Sequence, residues 1–141
     1  MKVNFFHQQL QFSRAFKKAL NKQLSEAGLF HSQWLVLYCI KKQQPVTLVE
    51  ISNYLDVEKP TISRTIKRLE EQKLVESVPG ADKRERRICL TETGENSYKK
   101  GQKIVFQFEK ELAAEISDAD METTLNTILS LGKKLKKEEI N

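Results

Sequence analysis

Histidine, cysteine and glycine are scarce in this chain, and each scarcity excludes a class of chemistry. The two histidines, His7 and His31, lack metal-ligand spacing. Two cysteines, Cys39 and Cys89, are too few for a disulfide framework or a metal cage. The five glycines form neither a phosphate-binding loop nor a nucleophile elbow. Glu70 and Glu71 are neighbours that leave a helix in different directions, which makes a poor acid–base pair. No catalytic residue, metal site or cofactor is therefore expected, and the chain reads as a protein that is not an enzyme. Repeats and low-complexity linkers are also missing, and no apolar run approaches the ~20 residues of a membrane span. After Lys2 the N-terminus passes through two phenylalanines into His7-Gln8-Gln9, which is no secretory signal, so a cytoplasmic protein without a membrane partner is expected.

What is present fits one compact protomer over residues 1–141. An apolar fraction of 39% can supply a core, and a charged fraction of 30% supplies a polar surface. The net charge of +5 favours polyanionic partners. It is also concentrated: from Lys59 to Arg87, nine Lys or Arg stand against five acids, a local excess of +4.

That basic stretch has an ordered pattern. Ile62, Ile66, Leu69 and the alkyl stem of Lys73 recur at helical spacing, with Pro60, Arg64, Lys67 and Glu71 opposite and Ser63 and Arg68 on the flanks. Leu74–Val78 and Arg87–Leu90 then alternate as two strands joined by a long loop that carries Lys83, Arg84 and Arg86. Helix, turn, strand, basic loop and strand in that order describe a winged helix. An arginine on an outward helix face suits the major groove, where it can donate two hydrogen bonds to guanine, and a projecting basic hairpin suits the negative potential of a narrow minor groove.

Upstream, Thr47-Leu48-Val49-Glu50 is a capping box that opens a helix through Tyr54. With the helix from Pro60 it makes a helix-turn-helix, in which Val49, Ile51, Leu55, Ile62 and Ile66 are expected to pack on Trp34 and Leu37. Another helix is expected from Ser32 to Lys42, before Gln43-Gln44-Pro45. The first helix, about residues 3–27, carries Phe5, Phe6, Leu10, Phe12, Phe16, Leu20 and Leu24 and ends at Gly28. After the hairpin, Thr91 opens a long helix to about Ile116, and Ser117-Asp118-Ala119-Asp120 starts a last one with Met121, Leu125, Ile128, Leu129, Leu131 and Leu135. These terminal helices hold more apolar surface than an isolated lobe needs, so pairing of two chains is the economical explanation.

The strings EKPTISRTIKRLEEQKLV, DKRERRICLTETG and GLFHSQWLVLYCI resemble the MarR family of bacterial transcription regulators, in particular its SlyA-like members. The resemblance spans nearly the whole chain. It implies a mainly α fold with a small β-hairpin: a winged helix-turn-helix DNA-binding lobe over residues 30–91, with helical dimerisation regions over 1–28 and 92–141. It further implies a sequence-specific regulator of transcription, expected to be a repressor, that binds an inverted-repeat operator in double-stranded DNA as a homodimer. Release by a small-molecule effector is implied by the resemblance alone, and Ser13, Arg14, Phe16, Trp34 and Tyr38 are candidate lining residues as well as candidate packing.

In the family's terms Arg64 reaches base edges from the recognition helix, with Pro60, Thr61, Ser63, Lys67 and Arg68 beside it at the groove or backbone. On the wing, Asp82-Lys83-Arg84 stands where the family has Asp-x-Arg, so Arg84 enters the minor groove and Asp82 braces the wing, with Lys83 and Arg86 as further wing contacts. Two positions depart from the pattern. Phe30 replaces a hydroxyl N-cap, so another residue must satisfy those amides, and Lys73 replaces a turn glycine. Two other functions compete with DNA reading: a winged-helix protein-interaction module without DNA specificity, and a regulator that senses oxidants through Cys89.

Overall fold

A computed structural model describes residues 4–79 and 85–140. The chain divides into two compact units, the first ending at Phe108 and the second beginning at Glu109. In chain order the elements are α1 (Phe5–Leu24), α2 (His31–Gln43), β1 (Val46–Thr47), α3 (Leu48–Leu55), α4 (Lys59–Glu71), β2 (Val75–Val78), β3 (Arg87–Leu90), α5 (Glu92–Leu112) and α6 (Asp118–Ile140).

Local chemistry accounts for most of the boundaries. Asn4 caps α1 by accepting from the His7 N–H at 3.0 Å. The helix tightens into a 3-10 turn over Ser25–Ala27, and Gly28 closes it at φ 70°. At the start of α2, Phe30 has no side-chain acceptor. The Gln33 carboxamide takes the Phe30 N–H at 3.0 Å, and the Asn21 carboxamide on α1 takes the His31 N–H at 2.6 Å. Two carboxamides thus satisfy the Phe30 and His31 N–H groups, one of them from ten residues away, while the amides that an N-cap hydroxyl would take gain no side-chain cap.

Helix α2 is the centre of the first unit, with Leu37, Cys39 and Ile40 wholly buried. Burial pushes the Cys39 thiol up to about 11, with Glu50 adding to the effect, so at neutral pH it stays protonated as a small core residue. The capping box of α3 forms as expected: the Glu50 N–H donates to Thr47 Oγ1 at 3.2 Å and the Thr47 N–H donates to Glu50 Oε1 at 3.2 Å. Its apolar phase differs from expectation. Ile51 is buried and Leu48 and Leu55 pack on the core, whereas Val49 is exposed. Leu48, Ile51 and Leu55 share the i, i+3, i+7 face, and Val49 falls about 100° off it.

Helix α4 buries Ile62, Ile66 and Leu69 and stops at Glu71, so Lys73 belongs to the turn and not to the helical stripe. The turn closes with the Leu74 N–H donating to Leu69 O at 2.9 Å and the Lys73 N–H donating to Glu70 O at 2.9 Å. Lys73 sits at φ 61°, the left-handed conformation that glycine adopts without a Cβ penalty. Lys73→Gly is therefore expected to stabilise the fold by roughly 1 kcal/mol. Urea denaturation checks this, and a midpoint that fails to rise would contradict it.

The two strands of the hairpin gain a third partner. The sheet order is β1-β3-β2, with Val46 opposite Ile88 on one side of β3 and Ser77 opposite Ile88 on the other. The sheet is thereby tied to the N-terminus of α3. After β3, the Thr91 hydroxyl donates to Lys73 O at 2.7 Å and accepts the Gly94 N–H at 3.0 Å. A Cβ at Gly94 would lie 1.9 Å from Leu74 O, so only glycine lets α5 start this close to the turn.

In the second unit, Ser117 Oγ caps α6 by accepting the Asp120 N–H at 3.1 Å. None of its described side chains is buried, and Met121, Leu125, Ile128 and Leu129 are 41–55% exposed.

Candidate nucleic-acid interface

The recognition helix takes its orientation from its apolar stripe. With Ile62, Ile66 and Leu69 turned into the core, Pro60, Thr61, Ser63, Arg64, Lys67 and Arg68 are all exposed. Pro60 stands in the first turn, where its missing N–H removes no helical hydrogen bond. Arg64 Nη2 donates to Thr61 Oγ1 at 3.3 Å, a long hydrogen bond that leaves most of the guanidinium edge open. Among the described residues Arg64, Lys67 and Arg68 take part in no ion pair. Three cations on one helix face thus keep their charge available to an external anion.

The arginines at the base of the hairpin are placed differently. Arg86 Nε donates to Ser77 Oγ at 2.5 Å across the hairpin, and Arg86 Nη2 pairs with Glu70 on α4. Arg87 pairs with Glu85 at 3.1 Å and approaches Glu50 on α3 at 3.9 Å. Glu50 is held below the usual carboxylate range, first by the hydrogen bond from the Thr47 hydroxyl and least by Arg87. The pattern of acids and bases in the sequence carries no signal for these partners, because Glu70 and Arg86 are 16 residues apart. Asp82, Lys83 and Arg84, the wing residues on which the family resemblance places most weight, lie outside the described residues.

A groove of about 720 Å³ runs beside the recognition helix, from Lys17 and Asn21 of α1 past His31 to Thr61 and Arg68 of α4. Burial, and secondarily the charge of Lys17, hold His31 below the usual imidazole range. Trp34, Tyr38 and Phe16 do not line this groove. Trp34 stacks on Tyr98 at 6.2 Å and lies 5.7 Å from Tyr38, and Phe16 meets Phe108 at 5.7 Å, so these rings serve as packing. Cys89 is half-buried on β3 opposite Glu76, and both cysteines are free thiols.

A helix-turn-helix followed by an antiparallel hairpin, with a basic outward face on its second helix, defines a winged helix-turn-helix protein. The MarR family profile matches residues 29–85. The chain is 44% identical over 119 residues to the uncharacterised HTH-type transcriptional regulator YwoH of Bacillus subtilis, covering 84% of this chain and 87% of that one. Among solved structures it is similar to a Staphylococcus aureus MarR in complex with salicylate and kanamycin, at 32% identity and TM-score 0.86, covering 95% of this chain and 91% of that one. The fold also matches S. aureus MepR in a DNA complex, at 20% identity and TM-score 0.84, over 94% of this chain and 96% of that one. The chain belongs to the MarR family of helix-turn-helix transcriptional regulators, and it is a regulator and not an enzyme.

Proposed function

We propose that this protein binds an inverted-repeat operator in double-stranded DNA as a homodimer and represses transcription from it. The observation that carries the proposal is the exposed face of α4, where Arg64, Lys67 and Arg68 are free of acidic partners among the described residues. Arginine on such a face can read guanine in the major groove while lysine holds phosphate. Thr61 and Ser63 add hydroxyl donors, and Pro60 brings the start of the helix close to the backbone. The lobe over residues 30–91 is the DNA-binding part, and 1–28 with 92–141 are the pairing part. Exposed Phe6, Leu10 and Phe12 on α1, and Leu125 and Leu129 on α6, are the apolar faces that a second copy would cover. A two-fold dimer presents two recognition helices, which suits half-sites roughly 10 bp apart.

Asp82, Lys83 and Arg84 complete the proposal as the wing. Selection of genomic fragments by the purified protein, followed by titration at several salt concentrations, tests it. A bound sequence with two-fold symmetry and a salt-dependent affinity is expected, and a module that binds only proteins would select nothing. Arg84→Ala should reduce the salt slope by about one unit. Asp82→Ala should weaken binding although it removes a negative charge near DNA, since Asp82 braces the wing; tighter binding would remove that role.

A small-molecule effector belongs to the same reading. The groove between α1 and α4 reaches Thr61 and Arg68, so an occupant would touch the recognition helix itself. Its effect on the operator would equal its differential affinity for the free and DNA-bound forms.

A further inference from the structure

The basic loop has a counter-charge inside the lobe. Arg86 is the residue of the hairpin base that bridges most elements: its guanidinium meets Ser77 on β2 with one nitrogen and Glu70 on α4 with another, while Arg86 itself immediately precedes β3. Glu70 lies in the last turn of the recognition helix, one turn from Ile66 and beside Leu69, both buried, so its backbone is held by the packed stripe of that helix. Ser77 is paired with Ile88 in the sheet, so the hydroxyl is anchored to the hairpin. The neighbouring Arg87 engages Glu50 at the N-terminal end of α3 and Glu85 beside it. Two successive arginines thus tie the returning arm of the wing to both helices of the helix-turn-helix, each with its charge balanced within the lobe.

We propose that Arg86 is a positioning residue, with its charge neutralised by Glu70, that sets the wing against the recognition helix so that both meet DNA in one register. The inference rests on the DNA-binding reading above and assigns to Arg86 a role other than the direct contact expected from its place in a basic loop. A phosphate contact needs a guanidinium whose charge is available, and counterion release on DNA binding scales with the phosphates so neutralised. A guanidinium already bonded to a carboxylate and a hydroxyl contributes geometry in place of counterion release. Exposed ion pairs contribute little to global stability, so the consequence falls on the orientation of the wing and not on whether the lobe folds.

The test uses Arg86→Gln, Glu70→Gln and the double variant in the full chain, titrated against the selected operator across salt concentrations. Each single variant is expected to weaken binding roughly two- to fivefold, on the scale of one exposed pair, and the double variant to be no worse than either, because the residues act as one unit. The salt slope of Arg86→Gln should equal that of the parent. The opposite result, a slope lower by about one together with tighter binding by Glu70→Gln, would overturn the proposal and make Arg86 a phosphate contact. A second measurement needs no DNA: in nitrogen–proton spectra of the free protein the Arg86 Nε–H should be displaced and slow to exchange, and should move to the free-arginine position in Ser77→Ala, which removes the acceptor of that N–H. A free-arginine signal in the parent protein overturns the clasp whatever the DNA result, whereas a parent protein that shows the displaced signal but binds no duplex overturns the DNA-binding reading and with it the register role, and leaves only the clasp.

Discussion

Replacing Phe6 and Leu10 together with aspartate should convert the protein into a monomer that keeps its fold and loses operator affinity by at least roughly 100-fold. In the protomer Phe6 is 63% and Leu10 53% exposed, so the change removes little internal packing. In a two-fold dimer each substitution acts twice, once from each protomer. At about 1.5 kcal/mol for each apolar side chain that would be buried, four such side chains amount to roughly 6 kcal/mol, or about four orders of magnitude in the dimer dissociation constant. A monomer then holds one half-site and loses the advantage of the second, tethered lobe. Leu125→Asp with Leu129→Asp on α6 is the companion variant, since those side chains are 55% and 52% exposed and one helical turn apart. Sedimentation equilibrium at micromolar concentration reads the outcome. If both variants remain dimeric with full affinity, neither face forms the subunit interface and the proposed dimer is wrong.

Arg64→Ala should cost roughly 1 to 3 kcal/mol on the preferred operator and relax selectivity at one base pair in each half-site. The expectation comes from its position nearly opposite Ile62, Ile66 and Leu69, which turn into the core at 2%, 2% and 0% exposure. Its bond to Thr61 Oγ1 at 3.3 Å holds the side chain along the helix without consuming the charge. Lys67→Ala is the control: if the Lys67 ammonium holds only phosphate, its removal weakens binding to all duplexes alike. Each variant is titrated on the operator and on random duplex. Equal proportional losses for Arg64→Ala on the two DNAs would leave base reading to Thr61, Ser63 or Arg68.

The legible parts of the fold are those whose cause is local. The capping box at Thr47 and Glu50, the glycine stop at Gly28 and the buried stripe of α4 appear in the structure where the residues place them. The left-handed turn at Lys73 is not legible from periodicity, which carries the Lys73 stem along the helical stripe; only the family's turn glycine at that position points to it. Strand β1 is not legible, because two residues are too few to show alternation and its partners on β3, Ile88 and Arg87, lie far along the chain. Periodicity misplaces Val49, because in a helix of eight residues several apolar positions compete for one face.

The candidate site divides in the same way. Which cations point outward from α4 follows from helical periodicity, because burying one stripe determines the direction of every other side chain on the helix. Which cations remain available is not a local property. Lys67 and Arg86 look alike in the sequence as basic residues in a basic stretch, yet folding brings Glu70 and Ser77 to Arg86 and no described acid to Lys67. One amide at the start of α2 is likewise satisfied by Asn21 on another helix. By itself the sequence determined the kind of protein, its elements and the outward basic face, since these depend on spacing along one chain segment. Only the tertiary structure decided which charges are cancelled, which caps are filled from afar and that the hairpin has a third strand, because a Coulomb or hydrogen-bond partner is chosen by distance in space, which separation along the chain does not encode.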